Sequence, residues 1–339
     1  MKAIALTQYL PISHPDSLFD TTIERPVAAG RDLLVAIKAI SVNPVDTKVR
    51  APKDAVEKTP RVLGWDAAGI VEAVGPGVTR FKPGDRVFYA GDITRPGTNA
   101  EFHLVDERIA GRLPESIPFE TAAALPLTAI TAWEALFDRL RVPTPPHAMP
   151  RKSILVIGGA GGVGSIAVQL AARVAGMEVI ATASRPESIA WVRELGAHHV
   201  IDHFGDMQAQ LTAAGFPTVD YVLILNDTDR HFPAATSIIA PQGTICTIVE
   251  NRDTLDVSPL KSKSAGLVWE FMFTRSMYGT EDMIEQGRLL EEIARLVESG
   301  QLRATGTEVM SPINAANLRE AHRRLEDGHV IGKLVLKDF

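Results

Sequence analysis

Gly159, Gly161 and Gly164 stand at the spacing G-x-G-x-x-G within the run Ile154-Leu155-Val156-Ile157-Gly158-Gly159-Ala160-Gly161-Gly162-Val163-Gly164. Glycines so spaced cradle the pyrophosphate of a dinucleotide. The first permits a tight turn, the second lets the backbone approach the phosphates, and the third lets helix and strand pack closely. An apolar strand-like run precedes the loop. Val163, Ile166, Ala167, Leu170, Ala171 and Val174 follow it at the three- and four-residue steps of an amphipathic helix. The N-terminus of such a helix offers N–H groups and a partial positive charge to an anion, which adds Gly162 and Val163 to the candidate contacts.

The choice of dinucleotide is read about twenty residues further on, where an acidic side chain would hold a ribose 2′-hydroxyl and repel a 2′-phosphate. Here the second strand-like run ends Ala181-Thr182-Ala183-Ser184-Arg185, and the nearest acid, Glu187, lies beyond Pro186 at the start of the next helix. A hydroxyl followed by a guanidinium suits a phosphate, so Ser184 and Arg185 point to NADPH. Leu225 and Asn226 end one later run, and Cys246-Thr247-Ile248 lies in another. Both fall where doubly wound sheets bind ligands. His203 follows the third run and reads as a residue at the cofactor's edge. Cys246 is the one cysteine and fits a buried strand position better than a nucleophile. The nine histidines show no ligand spacing, and residue types alone point to no metal centre.

These side chains need elements to hold them. From residue 153 strand-like runs at 153–158, 178–183, 199–202, 220–225 and 243–249 alternate with helical patterns, which predicts a parallel, doubly wound α/β sheet. The first third is β-rich, with short runs at 2–6, 33–42, 68–74, 86–90 and 101–105 separated by Gly and Pro turns. Residues 120–140 read as a helix interrupted at Pro126. Pro143, Pro145, Pro146 and Pro150 then crowd a surface loop. Helices are expected over 280–299 and 315–326, and a final strand over 332–336.

Several longer stretches carry a resemblance. They are Val42-Asn43-Pro44-Val45-Asp46, Leu63-Gly64-Trp65-Asp66-Ala67-Ala68-Gly69, Lys82-Pro83-Gly84-Asp85-Arg86-Val87, residues 124–134, Glu194-Leu195-Gly196-Ala197 and Trp269-Glu270-Phe271-Met272-Phe273-Thr274-Arg275. In them the chain resembles the medium-chain dehydrogenase/reductase superfamily, in its zinc-independent quinone oxidoreductase branch, and is similar to the zinc-type alcohol dehydrogenase-like proteins. The resemblance implies a GroES-like catalytic domain built from residues 1–127 and 273–339, with a Rossmann domain over 128–272. It also implies substrate in the cleft between them and a homodimer. By the same resemblance Thr131 contacts the nicotinamide side, Phe271 and Phe273 border the nicotinamide, and Lys333 is a further cofactor contact. Asn43 and Asp46 lie in the stretch that lines the reaction centre of relatives, with capping of the turn at Pro44 as the alternative. Trp65, Tyr89 and Phe273 are candidates for the substrate pocket, against core packing for Trp65. Lys48 and Arg50 fit a solvated loop, with the orienting of a polar substrate as the alternative.

Zinc-dependent relatives place a cysteine in the segment matching residues 43–46, and a histidine and an acid in the segment matching Gly64-Trp65-Asp66. This chain has asparagine and proline in the first and tryptophan at the histidine's place. It also lacks the four cysteines that hold a structural zinc in the region matching residues 92–110. Without a Lewis acid, deprotonating a simple alcohol is difficult, whereas a quinone or an enone delocalises the charge that hydride addition creates. The reading is an NADPH-dependent reductase of a small quinone or enone. Two other readings stay open: a zinc-dependent alcohol dehydrogenase with atypical ligands, and a non-catalytic NADPH-binding protein.

Composition bounds the rest. A length of 339 residues suits two medium domains, and 45% hydrophobic with 22% charged residues is an ordinary globular balance. A net charge of −6 argues against nucleic acid or an anionic membrane as the main partner. One cysteine, no signal-like N-terminus and no apolar run of roughly 18 residues predict a soluble cytoplasmic protein.

Overall fold

The computed structural model of the chain describes residues 1–144 and 151–339. His147 and the prolines at 145, 146 and 150, expected in a surface loop, lie outside the described residues. The chain divides into two compact units. One comprises Met1–Ile130, Phe273–Gly300 and Ala304–Phe339; the other comprises Thr131–Met272 with Gln301–Arg303. The division falls after Ile130, inside the helix Pro126–Trp133, three residues beyond the boundary expected at 127. Gln301–Arg303 joins the second unit through Gln169, whose side chain donates to Arg303 O at 3.0 Å and accepts from Arg303 N–H at 2.7 Å.

The first unit is built on a sheet of seven strands. Six run in the order Gly306–Met310, Lys333–Lys337, Asp32–Ser41, Asp66–Val74, Arg86–Ala90, Ala110–Arg112, and Phe102–Asp106 pairs with Asp32–Ser41. A second sheet places Lys2–Tyr9 between Phe19–Thr22 and Lys53–Val62. Four of these strands escape the sequence pattern. Lys53–Val62 is charged, carries Pro60 and is largely exposed, so it lacks the alternation that marks a half-buried strand. Gly306–Met310 is almost wholly exposed, and Phe19–Thr22 and Ala110–Arg112 are very short. The expected break at Pro126 is present: a short helix Phe119–Ala123 ends before it, and Pro126 begins the next helix, where a missing N–H is harmless. That helix runs into a π-helical turn over Glu134–Arg139.

The second unit is a parallel sheet in the order His199–Ile201, Glu178–Thr182, Ser153–Ile157, Val219–Ile224, Ile239–Thr247, Gly266–Trp269. All five residues of Ser153–Ile157 are buried, as befits a central strand covered on both faces. The order is that of the Rossmann fold, with the first strand at the centre. The sixth strand, Gly266–Trp269, was not anticipated, because four half-exposed residues give no periodic signal. Because every strand is parallel, all their C-terminal ends gather on one edge. Among the described residues no helix is long and apolar enough to cross a membrane.

Leu155 is fully buried in a cluster with Ile180, Val222, Phe232 and Ile245. Leu155→Ala is expected to lower unfolding stability by about 3 kcal/mol in urea titration. A loss below about 1 kcal/mol would contradict a close-packed central strand.

Candidate active site

At the start of the nucleotide loop the tight turn falls on Gly158, whose φ of 88° favours glycine, and not on Gly159 as the motif suggested. Gly158 N–H donates to Thr182 Oγ1 at 3.0 Å, tying the loop to the second strand. Gly159 is required for packing: a Cβ there would lie 2.9 Å from Ala181 Cβ and 3.3 Å from Val192 Cγ1. At Gly164 a Cβ would collide with the backbone of Gly158 and Gly159, so only glycine lets the helix approach its own loop. A Cβ on Gly161 would meet nothing nearer than 3.6 Å. Gly161 is the cap of the helix Gly162–Gln169, and Gly162, Val163 and Gly164 form the first turn, where N–H groups lack helical acceptors.

Apart from Thr131, in the helix Pro126–Trp133, the remaining nucleotide-side candidates lie at or near strand ends of the same sheet. Ser184 is exposed and Arg185 half-buried just past Glu178–Thr182. Arg185 also caps the next helix, its N–H donating to Ser188 Oγ at 3.1 Å. His203 follows His199–Ile201, its ring 4.3 Å from Phe204 and 6.0 Å from His231 by centroid. Burial holds the His203 imidazole below its usual range and that of His231 down to about 4, so both are neutral at pH 7. Leu225 N–H donates to Ile157 O at 3.1 Å, and Asn226 is exposed beside Gly158. Cys246 is fully buried, and burial raises its thiol far above the usual range, which disqualifies it as a nucleophile. Ile248 is half-buried and its N–H donates to Ile224 O at 3.3 Å. Thr131 is buried, while Phe271 is 44% exposed.

In the first unit the structure assembles a buried polar cluster that the sequence only hinted at. Asp66 opens its strand opposite Ser41. Its Oδ2 accepts from Ser41 Oγ at 2.8 Å, Asn43 Nδ2 at 2.8 Å and Lys333 Nζ at 3.0 Å, and its Oδ1 from Leu127 N–H at 2.7 Å. Lys333 Nζ also donates to Val42 O at 2.8 Å and to Asn43 Oδ1. Both ends of the Asn43 amide are thereby engaged, which fixes its orientation. Asn43 also caps the helix Pro44–Arg50, and its N–H donates to Asp46 Oδ2 at 2.8 Å. The cap and the cluster are therefore one structure. Lys333, expected as a cofactor contact, is instead buried against these three acceptors. Asp46 Oδ1 is buried and reached by no donor among the described residues. Burial lifts the Asp46 carboxyl to about 7 against the opposing pull of the Asn43 N–H and Lys333, and Asp66 adds to the rise.

The three aromatic candidates are core residues. Trp65 is buried, donates from Nε1 to Asp92 O at 3.2 Å, and meets Phe273 edge-on at 5.9 Å. Tyr89 is fully buried with its hydroxyl 3.1 Å from His103 Nδ1, while His103 Nε2 lies 3.0 Å from Pro96 O. The carbonyl can only accept, so the neutral ring carries its proton on Nε2 and Tyr89 donates to Nδ1. That hydroxyl is not available to a ligand. Arg50 corrects its expected place in a solvated loop: it is 1% exposed and bonds His322 Nδ1 at 3.3 Å, Leu10 O at 2.6 Å and Glu326, while Lys48 is exposed. Asp66 was missed as a hub, although a lone acid inside Leu63-Gly64-Trp65-Asp66-Ala67-Ala68 was the available signal.

Asp46 makes a pH prediction. The folded carboxyl holds its proton to about 7, whereas the unfolded one releases it near 3.8. Its contribution to stability is therefore full at acid pH and falls as pH rises toward neutrality. Denaturant titrations should show this loss in the wild type and its absence in Asp46→Asn; equal slopes in the two proteins would contradict it.

The comparisons agree with this architecture. Residues 29–115 match the family described as the alcohol dehydrogenase GroES-like domain, and residues 195–336 match that described as zinc-binding dehydrogenase. A zinc-type alcohol dehydrogenase-like protein of Staphylococcus aureus (strain MSSA476) is 45% identical over 312 residues, 92% of each chain. The rat quinone oxidoreductase is 37% identical over 240 residues, 69% of each. A protein of Rhizobium etli CFN 42, provisionally named a zinc-dependent alcohol dehydrogenase, has a crystal structure that superposes with a TM-score of 0.95 at 53% identity, covering 100% of this chain and 98% of that one. The mycobacterial protein Rv1454c, solved with NADPH, superposes with a TM-score of 0.82 at 26% identity, covering 99% and 100%. By sequence, fold order and these relatives, the chain belongs to the medium-chain dehydrogenase/reductase superfamily, among its zinc-type alcohol dehydrogenase-like proteins.

Proposed function

We propose that this chain is an NADPH-dependent oxidoreductase that reduces a quinone or an α,β-unsaturated carbonyl compound without zinc. The observation that carries the reading is the Lys333 ammonium lodged between Asp66 and Asn43. In zinc-dependent relatives the segments holding Asn43 and Trp65-Asp66 supply metal ligands. Here the acid of that set is already neutralised by an internal cation 3.0 Å away, and Trp65 offers an N–H donor in place of an imidazole lone pair. A second cation would meet the ammonium's repulsion and too few soft donors, so the residues do not fit zinc.

They do fit NADPH. Gly159 and Gly164 let the loop pack closely on the second strand and the helix, and the N–H groups of Gly162, Val163 and Gly164 suit a pyrophosphate. Ser184 and Arg185 suit the 2′-phosphate, with His203 and the Leu225–Asn226 strand end near the adenosine side. Thr131, the backbone of Cys246 and Ile248, and Phe271 are assigned to the nicotinamide side. When bound, NADPH supplies the hydride. Asp46, protonated near neutral pH and with Oδ1 uncommitted, is the candidate proton holder. Asn43 orients it through its backbone N–H. Phe273 and Trp65 pack on each other in the core of the first unit, and Tyr89 is engaged by His103.

Purified protein should oxidise NADPH with members of a quinone and enone panel at rates that a chelator leaves unchanged. Arg185→Ala should raise the KM for NADPH by about 10- to 100-fold, the loss of one or two charge-assisted hydrogen bonds, with little change for NADH. Turnover abolished by chelation and restored by zinc, or a preference for NADH, would overturn the respective half of the proposal.

A further inference from the structure

The mechanism leaves a pair of buried acids in the second unit unused. Glu134 starts the π-helical turn Glu134–Arg139, one helical turn after Thr131, and is fully buried. Glu270 follows directly on the strand Gly266–Trp269 and is 2% exposed; its N–H donates to Thr247 O at 3.0 Å. Glu270 Oε2 accepts from Arg139 Nε at 2.8 Å. No N–H or hydroxyl among the described residues reaches Glu270 Oε1, and the Glu134 carboxyl is the neighbouring acid that acts on it and raises its hold on a proton. Two carboxyls can bond each other only if one of them keeps a proton. With one shared proton the pair carries a single negative charge, which the Arg139 guanidinium balances. The trio is then neutral, the one arrangement that a dry site tolerates well.

We propose that Glu134 and Glu270 form a one-proton clamp that positions the nicotinamide-facing edge of the nucleotide unit, tying the turn after Thr131 to the strand ends that carry Cys246 and Phe271. This rests on the NADPH reading above. Asp138 on the π-helical turn and Cys246 on the neighbouring strand are the other titratable groups that act on the trio. Burial and the Glu134 charge hold the Glu270 proton far above the usual carboxylate range, and the Cys246 thiol is raised beyond it. Loss of the shared proton at alkaline pH leaves two buried negative charges against one positive charge and opens the clamp. π-Helical turns are rare and recur at functional sites.

The test measures the Kd of NADPH by fluorescence from neutral pH to about pH 10 for the wild type, Glu270→Gln and Glu270→Ala. Melting temperatures at neutral pH confirm that each variant is folded. Glutamine keeps a donor for Glu134 and an acceptor for Arg139 but cannot titrate. The wild type should weaken by about tenfold at the alkaline end, the glutamine variant should match it at neutral pH and stay flat, and the alanine variant should bind weakly throughout. Superimposable pH curves for the wild type and the glutamine variant would overturn the clamp alone. Absence of NADPH binding at neutral pH would overturn the cofactor reading and the clamp's positioning role with it.

Discussion

A buried ammonium and a buried carboxylate 3.0 Å apart hold the first unit together at its most consequential point. Lys333 begins the last strand, Asp66 opens the strand two places across the sheet, and Asn43 caps the helix that leaves the strand between them. The C-terminal segment is thereby bound to the N-terminal half by charge as well as by backbone pairing. Each partner is nearly inaccessible to water, so removing one would strand the other at a cost of about 3–5 kcal/mol. Ser41, Asn43 and the Leu127 N–H complete the shell of Asp66, as a buried charge requires. Asn43 then passes the constraint on. Its side chain belongs to the cluster and its backbone N–H holds Asp46, so that buried carboxyl is placed by a residue whose amide is engaged at both ends.

The second unit solves a different problem, that of exposing backbone donors at a defined place. A parallel sheet puts every strand end on one edge, and the glycine loop removes the side chains that would cover the first helix's N-terminus. Thr182 fastens that loop to the neighbouring strand, so the cradle is braced from two directions. On the far side of the same edge the Glu134–Glu270 pair and Arg139 join the π-helical turn to the last strand by charge balance, where packing alone would leave polar atoms unsatisfied.

The parallel sheet was legible because each of its central strands is a continuous apolar run and each connection a helix of regular period. Gly266–Trp269 was not, being short and half-exposed at the sheet's margin. In the first unit the charged, largely exposed Lys53–Val62 gives no strand pattern, and only pairing with Lys2–Tyr9 makes it a strand. The glycine motif located the nucleotide loop but misassigned the turn, since φ at Gly158 depends on where the strand ends, which spacing alone does not say. Arg50 shows another kind of failure. A basic side chain is read as solvated until the fold delivers its acceptors, and those of Arg50 come from residues 10, 322 and 326. Contacts across such separations leave no local pattern.

The cation beside Asp66 belongs to the chain itself. Crystals grown with zinc and measured for anomalous scattering at the zinc edge test it most directly. No zinc within bonding distance of Asp66 and an undisturbed contact from Lys333 are expected. A zinc ion ligated by Asp66, with the lysine displaced, would contradict it.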